Sequence, residues 1–209
     1  MKKNFKRRDF IKKAGVAAAA ATAVSSFPAP AIAADRLEVN CVGTWPRDYP
    51  GLGAGGQAVS QRISDLSDGR IVVNHFSGGE RVGPLDVFTE VSSGNAQMYD
   101  SADYYWVGQH PGWGFFAAVP FGMIATEING WIRHGGGQEL WDELGDEFGL
   151  KNFMAGNSGV QMGGWFNKEI NSLADFDGLK IRMPGLGGEV LKSFGANTVL
   201  LAGADVLPS

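Results

Sequence analysis

The sequence predicts an α/β fold in which a parallel sheet is covered by helices. Three observations carry that prediction. From residue 35 onward, short runs rich in β-branched residues alternate with helical patterns in the order strand, helix, strand, helix, strand. Glycine is abundant, 31 of 209 residues, and clusters in short loops without a fixed period, as tight turns and close backbone approaches require. After residue 33, no stretch approaches the roughly 18 apolar residues that span a bilayer, so the 44% apolar content reads as a folded core.

The first 33 residues read as an export signal. Met1 to Lys13 is basic, Ala14 to Ala23 is small and apolar, and Ala31-Ile32-Ala33 fits a small-x-small cleavage site. Arg7-Arg8-Asp9-Phe10-Ile11-Lys12 is similar to a twin-arginine signal, the alternative being an ordinary secretion signal that contains an Arg pair. The segment holds seven of the 18 Lys/Arg and one of the 22 Asp/Glu, so cleavage near Ala33 takes the net charge from −4 to about −10. An acidic, exported chain argues against nucleic acid or anionic lipid as partner and points to the periplasm.

The elements follow in order. Leu37 to Thr44 alternates as a strand, and Trp45-Pro46-Arg47-Asp48-Tyr49-Pro50 makes a stiff aromatic loop. Ala54 to Leu66 is helical with Val59, Ile63 and Leu66 on one face, and Ser67-Asp68-Gly69 stops it. Arg70 to Phe76 is a second strand through Ile71-Val72-Val73. Pro84 opens a short helix with Leu85, Phe88 and Val91 inward and Gly94 past its end. Ala96 to Asp100 is a third strand, and its crossovers are expected to be right-handed.

Gly51-Leu52-Gly53-Ala54-Gly55-Gly56 satisfies the G-x-G-x-x-G pattern, which raises an exported redox enzyme with a nucleotide cofactor as the rival function. In a dinucleotide fingerprint the glycines form the strand-to-helix turn itself. Here a six-residue loop intervenes, and no acidic residue stands some 20 positions on, near Asn74 to Ser77. The preferred reading is a flexible loop that lets a helix N-terminus approach a ligand. No Ser/His/Asp arrangement, acid pair or cofactor ligand set accompanies it, so the chain does not read as an enzyme.

Residues 101 to 137 are dense in aromatics. Tyr104 and Tyr105 follow the third strand directly, at the sheet edge where open α/β sheets bind ligands, and are expected to wall a pocket and offer hydroxyls. Trp113, Phe115 and Phe116 are expected in the core. Gly135-Gly136-Gly137 is a loop before a helix at Gln138 to Phe148 carrying Leu140, Trp141 and Leu144. Cys41 is the single cysteine, inside the first strand, and reads as a buried inert thiol. His75, His110 and His134 lack metal-ligand spacing, which argues against zinc but leaves room for a hard cation held by oxygens.

The stretch Ala155 to Gly188 carries the candidate site. Leu179-Lys180-Ile181-Arg182-Met183-Pro184 alternates, so Lys180 and Arg182 share a face, and Gly185-Leu186-Gly187-Gly188 opens a helical pattern from Glu189 to Phe194. A strand at Thr198 to Ala202 follows. A guanidinium at a strand end, facing a helix N-terminus, suits a carboxylate through two parallel hydrogen bonds. The residues alone leave a second reading open, a surface Arg182 paired with a local acid.

Gly159-Val160-Gln161-Met162-Gly163-Gly164-Trp165-Phe166-Asn167-Lys168-Glu169-Ile170, then Asp177-Gly178-Leu179-Lys180-Ile181-Arg182 and Gly187-Gly188, resembles the solute receptors of TRAP (tripartite ATP-independent periplasmic) transporters. Tyr104-Tyr105-Trp106 and Ala118-Val119-Pro120-Phe121-Gly122-Met123 point to the branch that binds 2-oxo acids and related monocarboxylates. The resemblance runs from about Leu37 to Ala204. It implies a two-lobed periplasmic-binding-protein-like fold with mixed sheets flanked by helices, incomplete at the C-terminus, with a first lobe over 34–157 and the start of a second over 158–209.

The same resemblance implies function and roles. The receptor captures a small organic acid for import by TRAP membrane permease subunits, and it allows a homodimer of the full-length protein. Arg182 would form the salt bridge to the ligand carboxylate, and Gln161 would help hold a cation, sodium foremost, beside it; an amide oxygen suits a hard cation. The remaining cation ligands, a Glu-Trp pair, would lie beyond residue 209.

Overall fold

Strand β1 (Leu37–Gly43) runs through the middle of a sheet ordered β2-β1-β3, with β2 at Ile71–Phe76 and β3 at Met98–Asp100. The structure is a computed structural model that describes residues 36–209; the export signal read at 1–33 lies outside the described residues. Both pairings are parallel, with Val42 opposite Phe76 on one side and Tyr99 on the other. This is the βαβαβ arrangement expected from the sequence. Burial deepens along β1, from an exposed Leu37 to fully buried Cys41 and Val42.

Helix α1 (Leu52–Leu66) departs from its expected face. Leu66 is 86% exposed, and the residues it buries are Gly53, Gly56 and Ser60. The glycine loop is therefore mostly the first turns of the helix. A Cβ on Gly53 would overlap the Pro46 carbonyl and come within 2.9 Å of the Tyr49 Cβ, and one on Gly56 would overlap the Asp100 carboxylate. These glycines let α1 lie directly on the Trp45–Pro50 loop and on the end of β3. Packing, not ligand approach, explains them, and a phosphate-binding turn does not fit.

The core gathers on helix α2 (Val87–Ser92). Val87 and Phe88 are buried, with Phe88 in contact with Trp106, Trp113 and Phe148 at ring separations of 5.2, 5.7 and 5.3 Å. Helices α3 (Ala125–His134) and α4 (Gly137–Asp146) close this side. Trp141 and Leu144 point inward as expected, whereas Leu140 is 53% exposed. Trp113 is fully buried and Phe116 stacks between Trp131 and Trp141 at 5.7 and 5.4 Å, but Phe115, expected in the core, is 54% exposed. Aromatic density alone does not say which of two adjacent rings faces in.

Residues 150–171 contain no helix or strand. A second sheet follows, β4 (Lys180–Arg182) parallel to β5 (Asn197–Val199), joined by helix α5 (Gly185–Ser193). The helix begins earlier than the expected Glu189 and takes in Gly185-Leu186-Gly187-Gly188. Among the described residues, no helix is long and apolar enough to cross a membrane.

Candidate functional site

The two sheets deliver their strand ends to one place. After β3, Ser101 and Ala102 lead into a 3-10 turn, Asp103–Trp106, which carries Tyr104 and Tyr105. Thr44 anchors this exit twice, its N–H donating to the Asp100 carbonyl at 2.9 Å and its hydroxyl sharing a 2.7 Å hydrogen bond with Ser101. Arg182 is the last residue of β4, paired with Val199 of β5. Its alternation with Ile181 turns the guanidinium to the other face from that apolar side chain.

The Arg182 guanidinium is half-buried and held on two sides. Nε and Nη2 donate to the Leu201 carbonyl at 3.1 and 2.9 Å, and Nη2 also donates to the Tyr105 hydroxyl at 3.1 Å. The Tyr105 ring lies against the guanidinium, 5.8 Å from Cζ to the centroid. No acidic side chain among the described residues forms an ion pair with Arg182. The surface pair that the residues alone left open is not what this structure contains.

Helix α5 starts against the same aromatics. Pro184 caps it in extended conformation, no side chain caps its N–H groups, and no acidic residue occupies its first turn. Gly185 has φ 64°, and a Cβ there would stand 2.7 Å from the Tyr104 Cβ. Only a glycine allows this conformation and this approach together. The Tyr104 and Tyr105 rings meet edge to face at 4.6 Å. Burial raises the Tyr104 phenol above its ordinary pKa, with the Tyr105 ring adding to the rise and the Arg182 charge opposing it. Tyr104 is therefore a neutral donor at ordinary pH.

The turn that carries the tyrosines opens on a buried acid. Asp103 is 7% exposed, and burial pushes its carboxyl up to about 7. Its Oδ2 has no hydrogen-bond partner in the described structure. Asp100, at the end of β3, is likewise pushed up to about 7 by burial.

Of the four site residues expected from the sequence, Arg182, Tyr104 and Tyr105 come together and Gln161 stands apart. Gln161 is exposed in the irregular segment, its amide donating to the Ser158 hydroxyl at 2.9 Å. Among the described residues no hydrogen bond joins it to Arg182, Tyr104 or Tyr105. Its carbonyl oxygen is the atom type a hard cation takes. Such an ion needs six or more oxygens, however, and no group of three or more His, Cys, Asp or Glu side chains among the described residues could hold a metal. The described residues fit one ligand of a cation site. What sequence reasoning missed is the Leu201 carbonyl. Its signal was indirect: parallel pairing of the strand after Ala196 with β4 brings the chain beyond Val199 next to Arg182.

A separate apolar cavity of about 630 Å³ lies between Phe115, Phe116, Val119, Met123, Trp131 and Leu140. It shares no lining residue with the Arg182 cluster, and its lining holds no Lys or Arg, only His110 beside Glu143 and Glu147.

Comparison with known proteins adds three findings. Residues 42–209 match the model of the DctP family, described as bacterial extracellular solute-binding protein, family 7. The chain is 37% identical over 163 residues to a monocarboxylate 2-oxoacid-binding periplasmic protein of Nostoc sp. (strain PCC 7120), covering 78% of this chain and 44% of the relative. Two solved TRAP periplasmic solute binding proteins superpose on it. That from Pseudoalteromonas atlantica, with bound sodium and pyruvate, is 40% identical at TM-score 0.81, covering 83% of this chain and 53% of its own. That from Colwellia psychrerythraea, with bound calcium and pyruvate, is 39% identical at TM-score 0.79, covering 82% and 52%. The chain spans about half the length of the relatives it matches.

Proposed function

The chain belongs to the DctP family of bacterial extracellular solute-binding proteins, and we propose that it serves as the ligand-capturing subunit of a TRAP transporter for a 2-oxo acid or related monocarboxylate. The observation that carries this is the Arg182 guanidinium, held by the Leu201 carbonyl and Tyr105 hydroxyl, without a carboxylate partner among the described residues. A fixed cation without an internal counter-ion, next to an uncapped helix N-terminus, has electrostatic capacity to spare for an anion. The similarity to relatives that carry pyruvate, or are named for 2-oxo acids, supports the ligand class.

Tyr104 is the neutral phenol beside the charge and would donate to the ligand's oxygens. Gln161 would offer its amide oxygen to a hard cation, which when bound would balance the ligand's negative charge; the sodium and calcium of the two solved relatives support an oxygen-ligated ion that is not strictly selected. The segments 34–157 and 158–209 would belong to two lobes that close over the ligand, each contributing one sheet. Arg7-Arg8 and the small apolar run behind them support export to the periplasm through the twin-arginine route, with handover of the ligand to membrane permease subunits.

Calorimetric titration with pyruvate, in sodium, in calcium and in neither, tests this reading. Saturable binding that depends on a hard cation and weakens about a hundredfold in Arg182→Ala supports it. Binding that is undiminished by the loss of the guanidinium overturns the anion assignment.

A further inference from the structure

We propose that Tyr105 is the positioning residue for Arg182 and does not itself touch the ligand. The inference rests on the carboxylate reading above. Arginine offers five N–H donors in one plane. The single Nε proton and one Nη2 proton go to the Leu201 carbonyl, at 3.1 and 2.9 Å, and the other Nη2 proton goes to the Tyr105 hydroxyl at 3.1 Å. One nitrogen, Nη1, has no partner among the described residues.

The two Leu201 bonds end on a single oxygen atom, so together they make a pivot and not a clamp. Tyr105 supplies the second fixed point. It is suited to that task because it is itself immobile: the residue is 6% exposed, with its ring against Tyr104 at 4.6 Å and Trp106 at 6.1 Å. A buried phenol wedged between two rings has little to offer an incoming solute, whereas the half-buried Tyr104 stands nearer to solvent. A guanidinium fixed before binding loses less freedom on binding, which is where the affinity gain arises. With Nε and Nη2 committed, the ligand carboxylate meets Nη1, a single nitrogen, in place of the two parallel bonds across the fork expected from sequence.

The test is Tyr105→Phe, with Tyr104→Phe as comparison, in the full chain, read by two independent measurements. The first is nitrogen-detected NMR of the Arg182 guanidinium. Tyr105→Phe is expected to speed exchange of the Nη2 protons several-fold, while Tyr104→Phe leaves them unchanged. The second is pyruvate affinity, expected to weaken about tenfold in Tyr105→Phe with little change in thermal midpoint. Weakened binding with an undisturbed Arg182 signal would mean that the hydroxyl touches ligand directly, and overturns the proposal; so does no change in either readout. Should Tyr105→Phe fail to fold, titrating the unaltered protein decides: pyruvate shifts the Nη1 resonances if the proposal holds, and the Nη2 resonances if Tyr105 is displaced. If no pyruvate binding is found at all, the carboxylate reading falls, while proton exchange in the variant still decides whether Tyr105 fixes the guanidinium.

Discussion

Arg182 and Tyr105, 77 positions apart, are joined by a 3.1 Å hydrogen bond from Nη2 to the phenolic oxygen. The contact ties the end of the second sheet to the turn that leaves the first. On the proposed reading, Arg182 has two separable duties, recognising an anion and fastening two segments of chain. Arg182→Ala is expected to lower pyruvate affinity by about a hundredfold, roughly 2.7 kcal/mol, because the ligand's charge loses its partner. The same change removes three hydrogen bonds and should lower the unfolding free energy by about 1.5–4 kcal/mol. Arg182→Lys keeps the charge but cannot span Leu201 and Tyr105 together, so calorimetry should place its affinity between the two.

The glycines of α1 give a second test, because neighbours in the same helix differ in their surroundings. A Cβ on Gly53 would overlap the Pro46 carbonyl, whereas one on Gly55 meets nothing within 4 Å. Gly53→Ala should therefore destabilise by about 1–3 kcal/mol through overpacking, and Gly55→Ala should stabilise by roughly 0.5–1 kcal/mol through helix propensity. Denaturant midpoints separate the two. Equal effects at both positions would remove the packing explanation of this motif.

These glycines also mark the limit of what the sequence makes legible. The strand–helix alternation gave the parallel order of β1, β2 and β3, since β-branched runs and turn residues are local signals. The inward face of α1 was hidden because its contacts are made by absent side chains, which no hydrophobic period records. Arg182, Tyr104 and Tyr105 were legible as residue types at strand ends. Their mutual geometry was not, since it depends on a main-chain oxygen at Leu201 that no side chain marks and that only the pairing of two strands brings near. Gln161 was legible only through family motifs, and its exposed position matches its lack of any local structural reason.

The aromatics Trp113 and Phe115, two positions apart, separate core from surface. Trp113 is fully buried against Phe88 and Phe148, and Trp113→Ala should cost about 3–5 kcal/mol. Phe115 is 54% exposed, and Phe115→Ala should change stability by less than about 1 kcal/mol. Equilibrium unfolding of both variants checks the assignment, and a large loss at Phe115 would contradict the observed packing.

The buried acids set a pH dependence whose sign follows from their raised pKa. Asp103 and Asp100 are both pushed up to about 7 by burial, above the ordinary carboxylate value near 4. Between those limits these two carboxyls hold more protons in the folded chain than in the unfolded one, so their contribution to stability falls as pH rises from about 4 to about 7 and levels off above, while the lowered pKa of His75 contributes in the opposite direction. The residues facing Asp103 are Tyr99 and the Trp141 indole, and neither supplies a positive charge to reverse this. Asp103→Asn removes one of the two titrations while keeping the shape of the side chain. Its unfolding free energy should exceed that of the unaltered protein at pH 8 by more than about 1 kcal/mol, and the advantage should shrink towards pH 4. Urea unfolding at pH 4.5, 6 and 8 measures this directly. A variant whose profile runs parallel to that of the unaltered protein would show that Asp103 does not titrate in this range.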